Sequence, residues 1–158
     1  MGIVRLLAGA GLLLLAGCFA KPQSTGAAES RASIRTSSGA NLAFSSEISG
    51  TIAVNGDRIQ VVRERKFKID AEVYGDFNVG DLVFIDLYLR TKDGKLSSCA
   101  NSIAKVEAVS NAKATFHTDF YVTKLPEQDC TLKFSALLKD NTERTELAEA
   151  EVRIVAPH

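Results

Sequence analysis

The chain has 158 residues, room for one ordinary domain rather than two. Hydrophobic residues make up 46% and charged residues 24%, so the chain is not disordered throughout. Nineteen basic side chains balance nineteen acidic ones, and without a basic excess to release phosphate counterions a nucleic acid is not an expected partner.

Taken in chain order, Arg5 precedes twelve uncharged, mostly apolar residues, Leu6 to Gly17. A single charge followed by such a run is the pattern of a secretory signal. The run is shorter than the ~20 helical residues that cross a bilayer. Its last residues and the next one read Leu15-Ala16-Gly17-Cys18. This segment resembles the lipobox of bacterial lipoproteins, which implies a signal peptide over 1–17. In that family the cysteine becomes the mature N-terminus, its thiol carries a diacylglyceryl group and its amine is usually acylated. By resemblance, Cys18 is the lipidation site. Each buried CH₂ contributes about 0.8 kcal/mol, and two or more acyl chains hold a protein stably on a membrane. Phe19 stands where inner-membrane lipoproteins of enterobacteria carry Asp. The resemblance therefore implies an outer-membrane anchor, with the domain in the periplasm of a Gram-negative bacterium.

Residues 18–43 read as a flexible Ser/Ala/Gly-rich tether, because Ile34 is the one large aliphatic residue between positions 22 and 41. Such a stretch buries too little apolar area to offset its ordering entropy.

From about Leu42 the pattern changes to period two. Phe67, Ile69, Ala71 and Val73 alternate with Lys68, Asp70, Glu72 and Tyr74, and the same alternation recurs over 113–122, 130–139 and 147–155. Alternation sends one set of side chains to a core and the other to water, as on antiparallel sheets. Residues 82–89 are apolar almost throughout and read as a strand covered on both faces. Turn chemistry separates the runs, with Asn55-Gly56 suited to a type I′ hairpin. The pattern predicts about eight strands, at 46–54, 58–64, 67–74, 82–91, 103–109, 113–122, 130–139 and 147–155, with room for a short helical turn near 97–102. The expected fold is all-β, an antiparallel, immunoglobulin-like sandwich of about seven or eight strands over 44–158.

With Cys18 assigned to lipid, Cys99 and Cys130 remain. Two remaining cysteines in an exported chain point to a disulfide. It would close a 32-residue loop, a constraint of roughly 3.5–4 kcal/mol in the chain-entropy model.

The search for chemistry is sparse. His117 and His158 complete no metal-ligand spacing, so no metal is expected. His117 sits two residues from Asp119, a pair that reads as a solvated strand face. Gly-x-Ser-x-Gly, His-Glu-x-x-His, P-loop and Gly-x-Gly-x-x-Gly patterns do not occur, so neither an enzyme nor a cofactor is expected. Gly75 to Asp81 lacks the order of an EF-hand loop. Arg58, Arg63, Arg65, Lys66 and Lys68 form a basic cluster with two readings, a charged edge that blocks strand pairing or a contact for acidic lipid headgroups or an acidic partner.

Lipobox, tether and small sandwich together are similar in outline to lipoprotein assembly factors, among them the pilotins that chaperone secretin rings. That resemblance implies a non-enzymatic module binding another envelope protein, through an edge strand or a groove between sheets. Periplasmic lysozyme inhibitors are also small anchored β proteins, and they imply a different class, with the loops 75–81 and 92–102 as the inserting elements. A small-ligand or carbohydrate-binding module is the remaining alternative, with Tyr74, Tyr88 and Tyr121 as its aromatic candidates.

Overall fold

The computed structural model describes residues 29–123, 125–138 and 141–158. The signal peptide, Cys18 and the first part of the expected tether lie outside the described residues. Eleven strands are described: β1 (Ser30–Arg35), β2 (Asn41–Ser46), β3 (Ile52–Asn55), β4 (Arg58–Val62), β5 (Lys66–Tyr74), β6 (Leu82–Arg90), β7 (Leu96–Lys105), β8 (Ala108–Ser110), β9 (Lys113–Tyr121), β10 (Gln128–Ala136) and β11 (Thr145–Val155).

They form two sheets. The first has the order β1-β2-β5-β9-β8, the second β3-β4-β11-β10-β6-β7. Strands β2-β5-β9-β8 follow the immunoglobulin order A-B-E-D, and β11-β10-β6-β7 follow G-F-C with an added C′. Every pairing is antiparallel except β4 with β11, where Ile59 lies beside Val152 and Val62 beside Val155. The expected all-β sandwich is thus the observed fold, with one parallel pair in it.

The alternating positions fill the space between the sheets. Phe67, Ile69, Ala71 and Val73 of β5 are all buried, as are Leu132, Phe134 and Ala136 of β10. Phe67 packs between Phe44 and Phe120, with ring centroids 6.2 and 5.6 Å away, and Phe116 meets Phe134 across the sheets at 6.2 Å. Side chains of this kind each contribute about 1.5–3 kcal/mol on full burial. In β11 the buried pattern doubles at Leu147 and Ala148. A register shift between Phe134 and Ser135 leaves Leu147 as the extra residue, so both neighbours reach the core.

Several expectations are corrected. The tether was expected through residue 43, yet β1 and the first half of β2 lie within it. Ala40, Leu42 and Phe44 are each 1% exposed, and β1 is held by backbone pairing to β2 rather than by its own apolar content. The expected strand 46–54 is the last residue of β2, a connecting segment over 47–51 and the start of β3, which belongs to the other sheet. Residues 97–102 are strand, not a helical turn. The two central residues of the β3–β4 hairpin are Gly56 and Asp57, because Asn55 pairs with Arg58. Gly56 has φ +67° and Asp57 has no positive φ, the pattern of a type II′ turn rather than type I′. Strand β6 is covered on one face. Val83, Ile85 and Leu87 are buried, whereas Leu82 is exposed and Phe84, Asp86 and Tyr88 are half-buried.

Candidate functional site

The two long seams of the sandwich are sealed differently. On one side the edge strands β1 and β3 meet. The Ser30 hydroxyl donates to Ile52 O at 2.9 Å and accepts from the Ile52 N–H at 3.1 Å. On the other side β7 approaches β9. Ser102 Oγ lies 2.7 Å from Thr118 Oγ1 and donates to Asp119 O at 3.2 Å.

The five basic candidates do not converge. Arg58 pairs with Asp129 at 3.1 Å, and Asp129 also accepts from Arg153 at 3.2 Å. Arg63 ties the end of β4 to other segments: its N–H donates to Val155 O at 3.0 Å and its guanidinium donates to Leu125 O. Arg65, Lys66 and Lys68 do share one surface, a cleft of about 640 Å³. Arg31 joins them there, but Glu29, Glu47, Glu64 and Asp119 match them charge for charge. The cleft therefore carries no basic excess with which to draw an acidic partner. His117 contacts Glu107 rather than Asp119. Among the described residues no group of three His, Cys, Asp or Glu side chains is placed to hold a metal ion, and no helix is long and apolar enough to cross a membrane.

Neither expected inserting loop projects freely. Residues 75–81 are held by Gly75 N–H to Ala112 O at 3.0 Å and Gly80 N–H to Val106 O at 2.8 Å, with Phe77 buried beneath. Most of 92–102 is strand β7, and the remainder is a tight turn closed by Thr91 N–H to Lys95 O at 2.8 Å. Tyr74 and Tyr121 are exposed but stand on different parts of the first sheet: Tyr74 pairs with Lys113 and Tyr121 with Lys66.

Cys99 and Cys130 carry free thiols in this structure rather than the expected disulfide. They stand on β7 and β10, the two strands on either side of β6. Leu87 pairs with Ala100 and Tyr88 with Ser98, so Cys99 is the extra residue of a bulge. Its Sγ lies 3.2 Å from Leu87 O. Cys130 sits opposite Leu89 and is 2% exposed.

The feature that pattern reading missed is β7 itself. It is a ten-residue strand at the end of the six-stranded sheet, paired with β6 along one edge only. No charged residue occurs between Leu96 and Ala104. Beside it the outer face of the sheet is apolar around Leu82, Phe84 and Ile103, next to the Asp86–Arg144 ion pair. Ile103, 57% exposed, pairs with Phe84, and Leu82 is 43% exposed. The Arg144 guanidinium lies 3.6 Å above the Phe84 ring, a cation–π contact that rims this surface.

No protein-family model matches the chain, and no curated protein matches it.

Proposed function

We propose that the protein is a non-enzymatic lipoprotein of the outer membrane, anchored through an acylated Cys18, whose sandwich captures an extended segment of another envelope protein along β7. The observation that carries this reading is a ten-residue edge strand, uncharged from Leu96 to Ala104, that pairs with β6 on one side only among the described residues. Edge strands are usually shortened, charged or covered, because their free N–H and C=O groups template pairing with another chain. The other edges follow that rule. Strand β1 carries Arg31 and Arg35, while β3 and β8 have four and three residues. Strand β7 is long and carries no charge before its last residue, Lys105, and a partner strand added there would continue the sheet. Its side chains on the outer face would cover Ile103 and Leu82.

A second copy of the chain suits this edge poorly. Lys95 and Lys105 stand at its two ends, so antiparallel self-pairing would bring the lysines of the two copies together. A different protein with uncharged or acidic flanks avoids that repulsion. The pilotin-like role, assembly of an outer-membrane secretion component, is the specific form of this proposal.

The test is capture from detergent-solubilised envelopes with three forms of the full chain: unaltered, Cys18→Ser and Ile103→Lys. Retention of one outer-membrane assembly component by the unaltered chain, and its loss with Ile103→Lys, is the expected result. The same component retained equally by Ile103→Lys would remove β7 as the docking edge. Stoichiometric inhibition of lysozyme by the unaltered chain would move the protein to the inhibitor class.

A further inference from the structure

We infer that the cleft beside Arg65, Lys66 and Lys68 seats the phosphoethanolamine headgroup of a bilayer lipid, its phosphate against these basic side chains and its ammonium against Glu47, Glu64 and Asp119. The cleft lies at the end of the sandwich where β1 and β5 begin and β2 and β9 finish.

Its charges are balanced but not spent on one another. These three bases and three acids line one space of about 640 Å³, and among the described residues none of the six is in an ion pair. Lys68 and Asp119 make none even though they stand opposite each other across β5 and β9. A basic surface suits any anion and an acidic one any cation. Both signs together, left unneutralised, match a ligand that carries both signs within one small group. Phosphoethanolamine has that form. Its phosphate accepts charge-assisted hydrogen bonds from Lys and Arg, and its primary ammonium donates to carboxylates. Glu64 is also held with φ +61°, a left-handed backbone that costs an L residue, and is fixed there by its N–H to Val122 O at 2.7 Å. Strained residues of this kind gather at ligand clamps.

Two further observations make the source a bilayer. Ile48 and Tyr121 are exposed in the lining of the cleft, and an apolar body with a polar tip places Tyr at membrane–water interfaces. Glu29 lines the cleft too and stands eleven positions after Cys18, so the covalent route from that cysteine into the domain enters here. The choice of a bilayer rests on the reading of Cys18 as the acylated residue, whereas the match to the headgroup does not.

The chain has no tryptophan, so a single introduced one reports its own surroundings. Tyr121→Trp puts the reporter in the cleft. Tyr74→Trp puts it at the far end of β5, eight residues from Lys66 and roughly 26 Å away. With the full chain reconstituted in phosphatidylethanolamine vesicles, the Tyr121→Trp emission shifts to the blue and is quenched by brominated acyl chains, and the Tyr74→Trp emission does neither. In detergent without vesicles, glycerophosphoethanolamine binds the Tyr121→Trp chain about fivefold more tightly than glycerophosphoglycerol, the ratio that two exposed charge pairs provide. Glu47→Gln with Glu64→Gln brings that ratio to one, and Lys66→Gln with Lys68→Gln weakens both ligands. All four side chains are exposed, so these variants leave the core intact. A ratio of one in the chain with all four present, or unchanged binding in the lysine variant, would overturn the headgroup match. A blue shift at Tyr74→Trp instead, or headgroup binding with no shift on vesicles, would overturn the bilayer. Failure of the anchor reading is separate: the mass of the purified chain reads acylation of Cys18, and the comparison of the two soluble headgroups needs no anchor.

Discussion

One hydroxyl, that of Ser30, is both donor to the carbonyl and acceptor from the N–H of Ile52, so a single side chain replaces a backbone rung between β1 and β3. Both groups are buried, with Ser30 8% and Ile52 5% exposed. Removing the hydroxyl leaves the N–H and C=O of Ile52 without this partner at the seam. Ser30→Ala should therefore destabilise the fold by about 1–3 kcal/mol. Urea unfolding checks this, and an unchanged midpoint would show that the seam does not depend on Ser30.

A second prediction concerns the turn between β8 and β9. Asn111 and Ala112 have φ +51° and +59°, the left-handed region at both central residues of a type I′ turn. Asn tolerates that conformation, whereas Ala meets its Cβ penalty there. Ala112→Gly should stabilise the protein by about 1 kcal/mol, seen as a higher denaturation midpoint.

The loop after β5 supplies the opposite case. A Cβ on Gly75 would stand 2.5 Å from the Phe77 ring, which is itself buried. Gly75→Ala should cost about 1–3 kcal/mol through overpacking. The double variant with Phe77→Leu should recover part of that loss, and strict additivity would show that the ring is not the obstacle.

Acid should weaken the first sheet through Glu72. The Lys113 ammonium, 2.8 Å away, holds the Glu72 carboxyl below its ordinary value of 4.5, with help from Asn41. A carboxyl depressed in the folded state stabilises that state above its unfolded value, and the stabilisation is lost as pH falls below 4.5 toward the folded value. Glu72→Gln should flatten the decline of stability with acid in that range. Parallel declines for both chains would show that other carboxylates carry it.

The sandwich was legible because period-two alternation on β5, β9, β10 and β11 records one buried and one wet face. Its edges were not. Strands β1 and β7 contain little beyond Ser, Ala, Asn and Arg at most positions, so their sequences show little alternation of apolar and polar residues. Backbone pairing to β2 and β6 makes them strands, and the sequence has no direct mark for that. The same blindness hid the most exposed candidate surface. The basic cluster failed for another reason: nearness in sequence from 58 to 68 crosses from one sheet to the other, so Arg58 and Lys68 belong to different layers. The expected disulfide is not present: Cys99 and Cys130 carry free thiols on strands that β6 separates, an intervening strand that cysteine counting does not reveal.

Ordering of β1 also shortens the leash. If the lipid is carried by Cys18, the chain has only twelve residues from the membrane-held atom to Ser30, a span of at most about 40 Å. The domain then hangs close beneath the bilayer instead of roaming. The leash leaves from the β1–β3 flank, while β7 closes the opposite end of its sheet. Were Cys18 the anchor, the point of attachment and the open strand would therefore stand on opposite flanks of the sandwich.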